Sequence, residues 1–377
     1  HLQEYQEEPS SQEDLEKIPM LTRADISREI APIYNEEMKI ADIPTVFHEI
    51  ETNGIGYLDL MFDLSDVPEK DLPMVGLLQA VLGIIDTEHY EYGELFNEIN
   101  RHTGGIGTSL ELYPDVTKVK EKEFKATFEI KGKALYGQIP FAIRMMKEIL
   151  TASKLDDEKR LKEILSMTKT RLQDRFLSAG HSAAALRAMS YKSPISKFKD
   201  TTNGIEYYQN IREMEEHFDE KKEEIISGLK ALSELLFRKG NVMISYTASR
   251  EGLAVLEEEI GSLKEALYPE RTPESRCILH CEKKNEGFKT SSKVQFAAKA
   301  GNFIDAGEEY NGALQILKVI MSYEYLWINI RVKGGAYGCM SNFNRIGEGY
   351  FVSYRDPNLG RTLEIYDGVP EYLENFT

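Results

Sequence analysis

The chain has few of the residues that build covalent or metal-linked frameworks. Its 377 residues include three cysteines, one tryptophan and seven histidines. Three cysteines give no paired disulfide framework and are typical of a reducing compartment. The longest mainly apolar run covers residues 73–85, which is shorter than the ~20 residues that a bilayer-spanning helix needs. We therefore expect neither a disulfide scaffold nor a membrane partner.

Positive charge is scarce as well. Lysine and arginine total 46 against 63 aspartates and glutamates, which gives a formal net charge of −17. Nucleic-acid binding needs concentrated lysine and arginine, and the lysines of residues 118–133 stand singly among glutamates and apolar residues. We expect no nucleic-acid partner. The acidity has two interpretations: it keeps the protein in solution, or it forms a surface or chamber that attracts basic peptides.

Residue spacing predicts a mixed fold in the first two thirds of the chain. Two alternating segments between residues 45 and 65 flank Asn53-Gly54, a strong hairpin signal. Prolines at 269 and 273 mark a boundary. Before it, the patterns predict helices at 71–85, 92–100, 140–150, 157–177, 215–237 and 253–267, with strands at 124–130 and 241–247.

Beyond that boundary the order of predicted strands, helices and glycines repeats that of the first region. At a constant offset Tyr92 falls on Tyr323, and the glycines 104 and 107 fall on 335 and 338. A repeat this long indicates duplicated domains; the alternative is a chance coincidence of glycines. The second copy has no counterpart of residues 151–268, so we expect the chain to be cut inside its last domain. Its predicted elements are strands at 294–298, 302–304 and 349–355 and helices at 312–322 and 363–376. Residues 323–331 are predicted to be another helix or the approach to a strand.

These patterns predict an α+β chain of duplicated domains, each a mostly antiparallel sheet with helices mainly on one face. Residues 1–17, rich in Glu, Gln, Ser and Pro, are expected to be a linker tail. Residues 18–268 would form one domain, and 276–377 the N-terminal part of another. An incomplete domain would leave a sheet edge and apolar helix faces uncovered, so we expect self-association.

The segment most suggestive of function is R-V-K-G-G-A-Y-G, from Arg331 to Gly338. An arginine is a fixed cation with a planar donor fork for a carbonyl, a carboxylate or a developing oxyanion. Tyr337, six residues later, offers a second donor for the same oxygen. Glycines allow positive φ or close approach to a ligand, which makes Gly334, Gly335 and Gly338 candidate substrate-binding positions. The alternative is a structural arginine and a packed tyrosine at a sheet edge.

This segment, with W-I-N-I before it and Y-F-V-S-Y-R-D-P-N after it, resembles the C-terminal half of the presequence protease subfamily of insulinase-like (pitrilysin) zinc peptidases. Residues 176–188 and 203–208 resemble the same subfamily, and the resemblance covers about residues 18–376. It implies four homologous domains in two halves that close a chamber around unfolded peptides, with zinc on H-x-x-E-H in the first domain. Residues 18–268 would be the third domain and 276–377 part of the fourth. Arg331 and Tyr337 would contact the substrate or oxyanion across the chamber.

The chain departs from this family at the metal motif. It contains neither H-x-x-E-H nor H-E-x-x-H, and the matching helix carries Val75, Leu78 and Gln79. These side chains do not ligate zinc or activate water. We therefore expect no metal in this chain. Zinc, its ligands and a general-base glutamate would come from the N-terminal catalytic half of the same polypeptide. The alternative is a non-catalytic peptide-binding or assembly scaffold of the same superfamily. A bacterial cytoplasmic location is favoured.

Weaker candidates lie elsewhere. Cys277, His280 and Cys281 offer three soft ligands in five residues but lack a fourth at the usual spacing. The alternative is a short strand with Cys277 and Ile278 in the interior. His102 is a substrate-contact remnant or a loop-capping residue, and His181 is interpreted as a cap or core-edge residue.

Overall fold

The computed structural model describes residues 2–272 and 275–376, in two compact units that divide between Asn35 and Glu36. The first unit holds two short helices, α1 Leu2–Glu7 and α2 Gln12–Glu16. Ser11 caps α2, because its hydroxyl oxygen accepts a hydrogen bond from the backbone N–H of Asp14 at 3.1 Å. The first strand begins at Glu36. The limits that we expected for the linker and the two domains stay a prediction.

Six strands form the larger sheet, and their order differs from the one that a hairpin at Asn53-Gly54 would give. Asn53 and Gly54 do make a tight turn, with φ of 54° and 79°. The predicted hairpin is nevertheless wrong, because β6 pairs with both β2 and β3 and separates them. The strands are β1 Glu36–Ile40, β2 Ile43–Glu49, β3 Ile55–Asp63, β4 Ile106–Pro114, β5 Phe124–Leu135 and β6 Val242–Ala248, in the order β1-β2-β6-β3-β5-β4.

The two faces of this sheet differ in polarity. Leu60 lies opposite Ile130 and Ile244, all three fully buried. Asp59, on the other face, lies opposite Lys131. The apolar face carries the helices, and only the β2–β6 pair is parallel within the described sheets. This arrangement confirms the predicted α+β class with helices on one face.

Eight helices accompany that sheet in the described chain. The longest, α6, has non-helical backbone angles at Ala179, with φ −128° and ψ 36°. The helix that we predicted over 157–177 ends just before this break, whereas the structure continues it to Ser190. The helices are α3 Leu72–Val81, α4 Tyr92–His102, α5 Ile139–Thr151, α6 Glu158–Ser190, α7 Pro194–Asn203, α8 Ile205–Glu216, α9 Phe218–Leu236 and α10 Arg250–Ala266.

A second, three-stranded sheet repeats part of the first. Its order β7-β9-β8 matches β3-β5-β4 of the larger sheet, which is the strand order that a duplication predicts. We did not predict β4 and β8, each of which follows a glycine cluster, and no strand forms at 302–304 beyond Asn302. The strands are β7 Ala298–Asn302, β8 Gly338–Phe343 and β9 Glu348–Tyr354, with helices α11 Ala313–Ile320, α12 Gly360–Asp367 and α13 Val369–Glu374.

Helix α11 continues directly into a π-helical segment, Met321–Val332. No residue of α11 is buried, and Ile316 and Val319 are 65% and 55% exposed. In the first copy the corresponding helix, α3, is buried among α7, α8 and α9. The apolar face of α11 is thus uncovered, as we expected for this region. Among the described residues, no helix combines the length and the hydropathy of a membrane span.

Candidate functional site

The glycine-rich turn closes the end of the π-helical segment. Gly335 has a φ of +79°, and its N–H donates to the carbonyl of Arg331 at 2.8 Å. A Cβ on Gly334 would lie 2.3 Å from the carbonyl oxygen of Ile330. A left-handed glycine at a helix end satisfies the last carbonyls. Gly334 and Gly335 are therefore required by the local backbone, whereas a Cβ on Gly338 would meet only an ordinary contact at 3.9 Å.

Arg331 and Tyr337 are brought together by this turn. The Nη1 of Arg331 donates to the carbonyl oxygen of Tyr337 at 2.5 Å. Its guanidinium carbon lies 4.1 Å from the ring centroid of Trp327 and 5.5 Å from that of Tyr337. Stacking on two aromatic rings fixes the plane of the guanidinium and leaves its remaining N–H groups for a ligand.

The hydroxyl of Tyr337 is open to a ligand. The side chain is 64% exposed, and its hydroxyl has no hydrogen-bond partner among the residues that the structure describes. The backbone is held, since its N–H donates to the carbonyl of Tyr354 at 3.1 Å. The two rings meet edge to face, with centroids 5.6 Å apart. The site therefore presents a fixed tyrosine with a free donor.

A loop after β9 supports the turn from behind. Asp356 is fully buried and accepts hydrogen bonds from the hydroxyl of Thr362 at 2.6 Å and from the N–H of Asn358 at 2.8 Å. Asn358 in turn donates through Nδ2 to the carbonyl of Gly334 at 2.6 Å. We did not predict roles for Asp356 and Asn358. The D-P-N sequence was the available signal, because Asp at such a position forms Asx turns.

Tyr354 also contacts the break in α6. Its ring lies 4.8 Å from the imidazole of His181, and its hydroxyl donates to the carbonyl of Ser178 at 3.3 Å. Gly180 allows the ring of Phe296 to approach, since a Cβ there would lie 2.4 Å from it. Burial lowers the pKa of His181. Helix α6, at its break, thus supports Tyr354, and the ring of Tyr337 packs against that of Tyr354.

The helix at the position of the zinc motif cannot hold a metal. Val75 and Leu78 are fully buried in the core. Gln79 donates through Nε2 to the carbonyl of Thr108 at 3.4 Å, and the Thr108 hydroxyl donates to the carbonyl of Gln79 at 3.1 Å. Within 2–272 and 275–376, no three or more His, Cys, Asp and Glu side chains are grouped to bind an ion.

The weaker candidate residues, at 277–281 and at His102, do not form a common site. Residues 277–281 form no strand, and Ile278 is 65% exposed, so the predicted strand is wrong. The His280 Nδ1 lies 2.7 Å from a carboxylate oxygen of Glu69. Burial raises the pKa of the Cys277 thiol to about 11, which keeps it protonated and a poor ligand near neutral pH. His102 packs on Phe141 with ring centroids 4.7 Å apart.

Comparison with known proteins identifies the family. Residues 1–214 match the model of the family associated with subfamily C of peptidase M16, and residues 285–377 match the one described as PreP C-terminal domain. The chain belongs to this peptidase-associated family. The resemblance to the C-terminal half of presequence proteases is thereby confirmed.

Named relatives support the assignment of this peptidase-associated chain. It is 39% identical to "Protein HypA" of Clostridium perfringens, over 100% of the chain and 38% of the relative. It is 29% identical to presequence protease 1, chloroplastic/mitochondrial, of Arabidopsis thaliana, over 98% of the chain and 34% of the relative. The chain thus spans less than two fifths of the length of these relatives. They come from bacteria and organelles alike, so the compartment stays a prediction.

Solved structures show the same fold. A peptidase M16 inactive domain from Pseudomonas fluorescens aligns with a TM-score of 0.56 at 16% identity, over 92% of this chain and 80% of that one. The periplasmic protease PqqL of Escherichia coli aligns with a TM-score of 0.53 at 11% identity, over 95% of this chain and 39% of that one. At such identities the likeness concerns the fold alone.

Proposed function

We propose that this chain is the non-catalytic C-terminal half of a zinc-dependent metalloendopeptidase that degrades unstructured peptides in a closed chamber. The observation that carries the proposal is the pairing of Arg331 with Tyr337 around a glycine turn, with the tyrosine hydroxyl exposed and unengaged. The family supports the peptidase reaction class. The residues of this chain do not fit a zinc ion, so the metal is assigned to the N-terminal half of the same polypeptide.

The contribution of this chain would be to bind and orient the substrate. The hydroxyl of Tyr337 would donate a hydrogen bond to the backbone carbonyl of the peptide or to the oxyanion that develops from it. The free N–H groups of Arg331 would add charge-assisted bonds to the same region. Arg331 also holds the carbonyl of Tyr337, so it positions the tyrosine as well as contacting the substrate. Oxyanion donors of this kind typically contribute ~3–4 kcal/mol.

The charge balance favours basic substrates. With a formal net charge of −17, the chain would attract cationic peptides by long-range electrostatics. A closed chamber would exclude folded proteins, which leaves unstructured peptides as the substrate class. The runner-up function is a peptide-binding or assembly scaffold. It would apply if the N-terminal half lacked zinc ligands, as this chain does at Val75, Leu78 and Gln79.

The test is a kinetic comparison in a polypeptide that contains both halves. Tyr337→Phe should lower kcat by ~10²–10³-fold with little change in KM, because it removes a donor used mainly at the transition state. Tyr323→Phe is the matched control, since Tyr323 is 65% exposed and Tyr337 is 64% exposed. Zinc content and thermal stability should stay at the wild-type level in both variants.

Three results would count against the proposal. If Tyr337→Phe keeps full kcat, the tyrosine is structural. If the control loses as much activity as Tyr337→Phe, the effect is not specific to the site. If the two-half protein contains no zinc and cleaves no peptide yet still binds one, the scaffold function replaces the peptidase.

A further inference from the structure

A cavity of about 500 Å³ lies between α3, β4, α6 and α7, at a distance in sequence from Arg331 and Tyr337. Its volume falls within the ~300–1,000 Å³ that small-molecule sites occupy. Gln79, at the position of the lost zinc motif, lines it. The apolar part of the wall comes from Leu110, Leu112, Ala183, Leu186 and Phe198.

The charged residues of this cavity are both cations. Arg175 and Lys199 line it, and none of the described residues around it is Asp or Glu. The whole chain, by contrast, has 63 acidic and 46 basic residues. The local charge is therefore opposite to that of the whole chain, and it is complementary to an anion.

Arg175 differs from Arg187 and Arg238, two arginines whose side chains are largely buried. Arg187 pairs with three carboxylates, including Asp200 at 2.7 Å, and Arg238 pairs with Asp66. Arg175 is half-buried, yet it makes no ion pair with a carboxylate in the part of the chain that the structure describes. Burial and the nearby Arg171 lower its pKa. Buried charges are normally paired; a half-buried guanidinium beside a cavity, with no carboxylate on it, is available to an anionic ligand.

The donors of Arg175 are only partly used. Nη1 donates to the side-chain oxygen of Asn203 at 2.9 Å, and Nη2 donates to the carbonyl oxygen of the same residue. A guanidinium has five N–H donors, so further donors remain for a carboxylate. Asn203 holds the guanidinium in place at the end of α7, which prepares it for a ligand.

We propose that this cavity binds a small apolar molecule that ends in a carboxylate. The carboxylate would lie on the guanidinium of Arg175, with Lys199 adding charge, and the apolar body would pack against the leucines and Phe198. A fatty acid and the free C-terminus of an apolar peptide share this chemistry. The proposal does not depend on the peptidase function, although Ala179 and Ser182 of the cavity wall flank Gly180 and His181, which contact Phe296 and Tyr354.

Calorimetric titration of the chain with two acids and their neutral counterparts tests the proposal. Octanoate is compared with 1-octanol, and N-acetyl-leucyl-leucine with its C-terminal amide. We expect at least one acid to bind ~10-fold more tightly than its neutral counterpart, because only the acid pairs with the guanidinium. Preference for octanoate identifies a fatty acid as the source of the carboxylate, and preference for the dipeptide identifies a peptide terminus.

Variants connect the binding to the cavity. Arg175→Met should weaken binding of the acid ~10-fold or more, whereas Arg212→Met, at an exposed arginine of α8 that does not line the cavity, should not. If Arg175→Met fails to fold by circular dichroism, Ala183→Phe, which fills the cavity and keeps the cation, should abolish binding instead. The proposal is overturned if neither acid binds, if the neutral compounds bind equally well, or if acid binding survives both Arg175→Met and Ala183→Phe.

Discussion

The glycine turn shows that a residue can matter to a site without touching a ligand. We predicted Gly334, Gly335 and Gly338 as substrate-binding positions. The structure provides a backbone reason for the first two, the contact with the Ile330 carbonyl and the positive φ. Their proposed role is therefore to shape the turn that brings Arg331 to Tyr337, and direct contact with a substrate stays a prediction.

Alanine substitutions separate these glycines. Gly335→Ala should lower the free energy of unfolding by about 1–2 kcal/mol, because a Cβ disfavours left-handed backbone. Gly334→Ala should destabilise as well, since the Ile330 carbonyl would have to move. Gly338→Ala is the control and should leave stability near wild type. Urea denaturation of the three variants measures this, and equal stability of all three would contradict it.

The spacing of Arg331 and Tyr337 predicted that the two residues share a site, but not how they contact each other. The six-residue separation placed Arg331 and Tyr337 in one site, and they do meet. The sequence contained no signal that Arg331 would bond the tyrosine backbone or stack on Trp327. Those contacts depend on the π-helical segment that carries Trp327 and Arg331 and on the glycine turn that follows it.

Among the elements, α6 joins the two sheets. Its break at Ala179 places His181 and Gly180 against Tyr354 and Phe296 of the second half. The break therefore gives Tyr354, and through it Tyr337, a support that comes from helix α6.

The partly buried histidine at this break predicts a pH dependence of stability. The pKa of His181 is lowered below its ordinary 6.5 by burial, so the unfolded chain takes up a proton at a higher pH than the folded chain. The free energy of unfolding therefore has its full value, as far as His181 is concerned, above about pH 6.5, and it falls as the pH drops below that value.

Urea denaturation at about pH 8 and about pH 5.5 checks this. The wild type should lose more free energy of unfolding between the two values than His181→Gln does. His217→Gln, which changes an exposed histidine, should behave like the wild type. An identical loss in wild type and His181→Gln would mean that His181 does not titrate in this range.

Elements also show where local patterns fail. Helices with a regular apolar spacing, such as α5 and α9, were predicted to within three residues. The Asn53-Gly54 turn was predicted too, but its hairpin was wrong because β6 enters between the flanking strands. Strand β6 lies almost 200 residues after the turn. The residues of the turn therefore cannot indicate that β6 inserts between β2 and β3.

For the molecule as a whole, the uncovered helix α11 predicts self-association. Ile316 and Val319 are mostly exposed on one helix, and exposed apolar faces tend to be covered by another surface. Sedimentation velocity should show mass increasing with protein concentration. Ile316→Glu should shift the chain toward monomer. Val116→Glu, at a 52% exposed valine between β4 and β5, is the control and should not. A monomer at every concentration would contradict the prediction.

Local sequence determined most of the helices, the repeat and the candidate pair Arg331 and Tyr337, because periodicity, glycines and spacing act within a few residues. Helices α7 and α8 were not predicted. Tertiary structure decided the insertion of β6, the passage of α6 beyond its break, and the support of Gly334 by Asn358. It also decided the pairing state of Arg175. Each of these depends on contacts between segments far apart in the chain, whose energies no local pattern records.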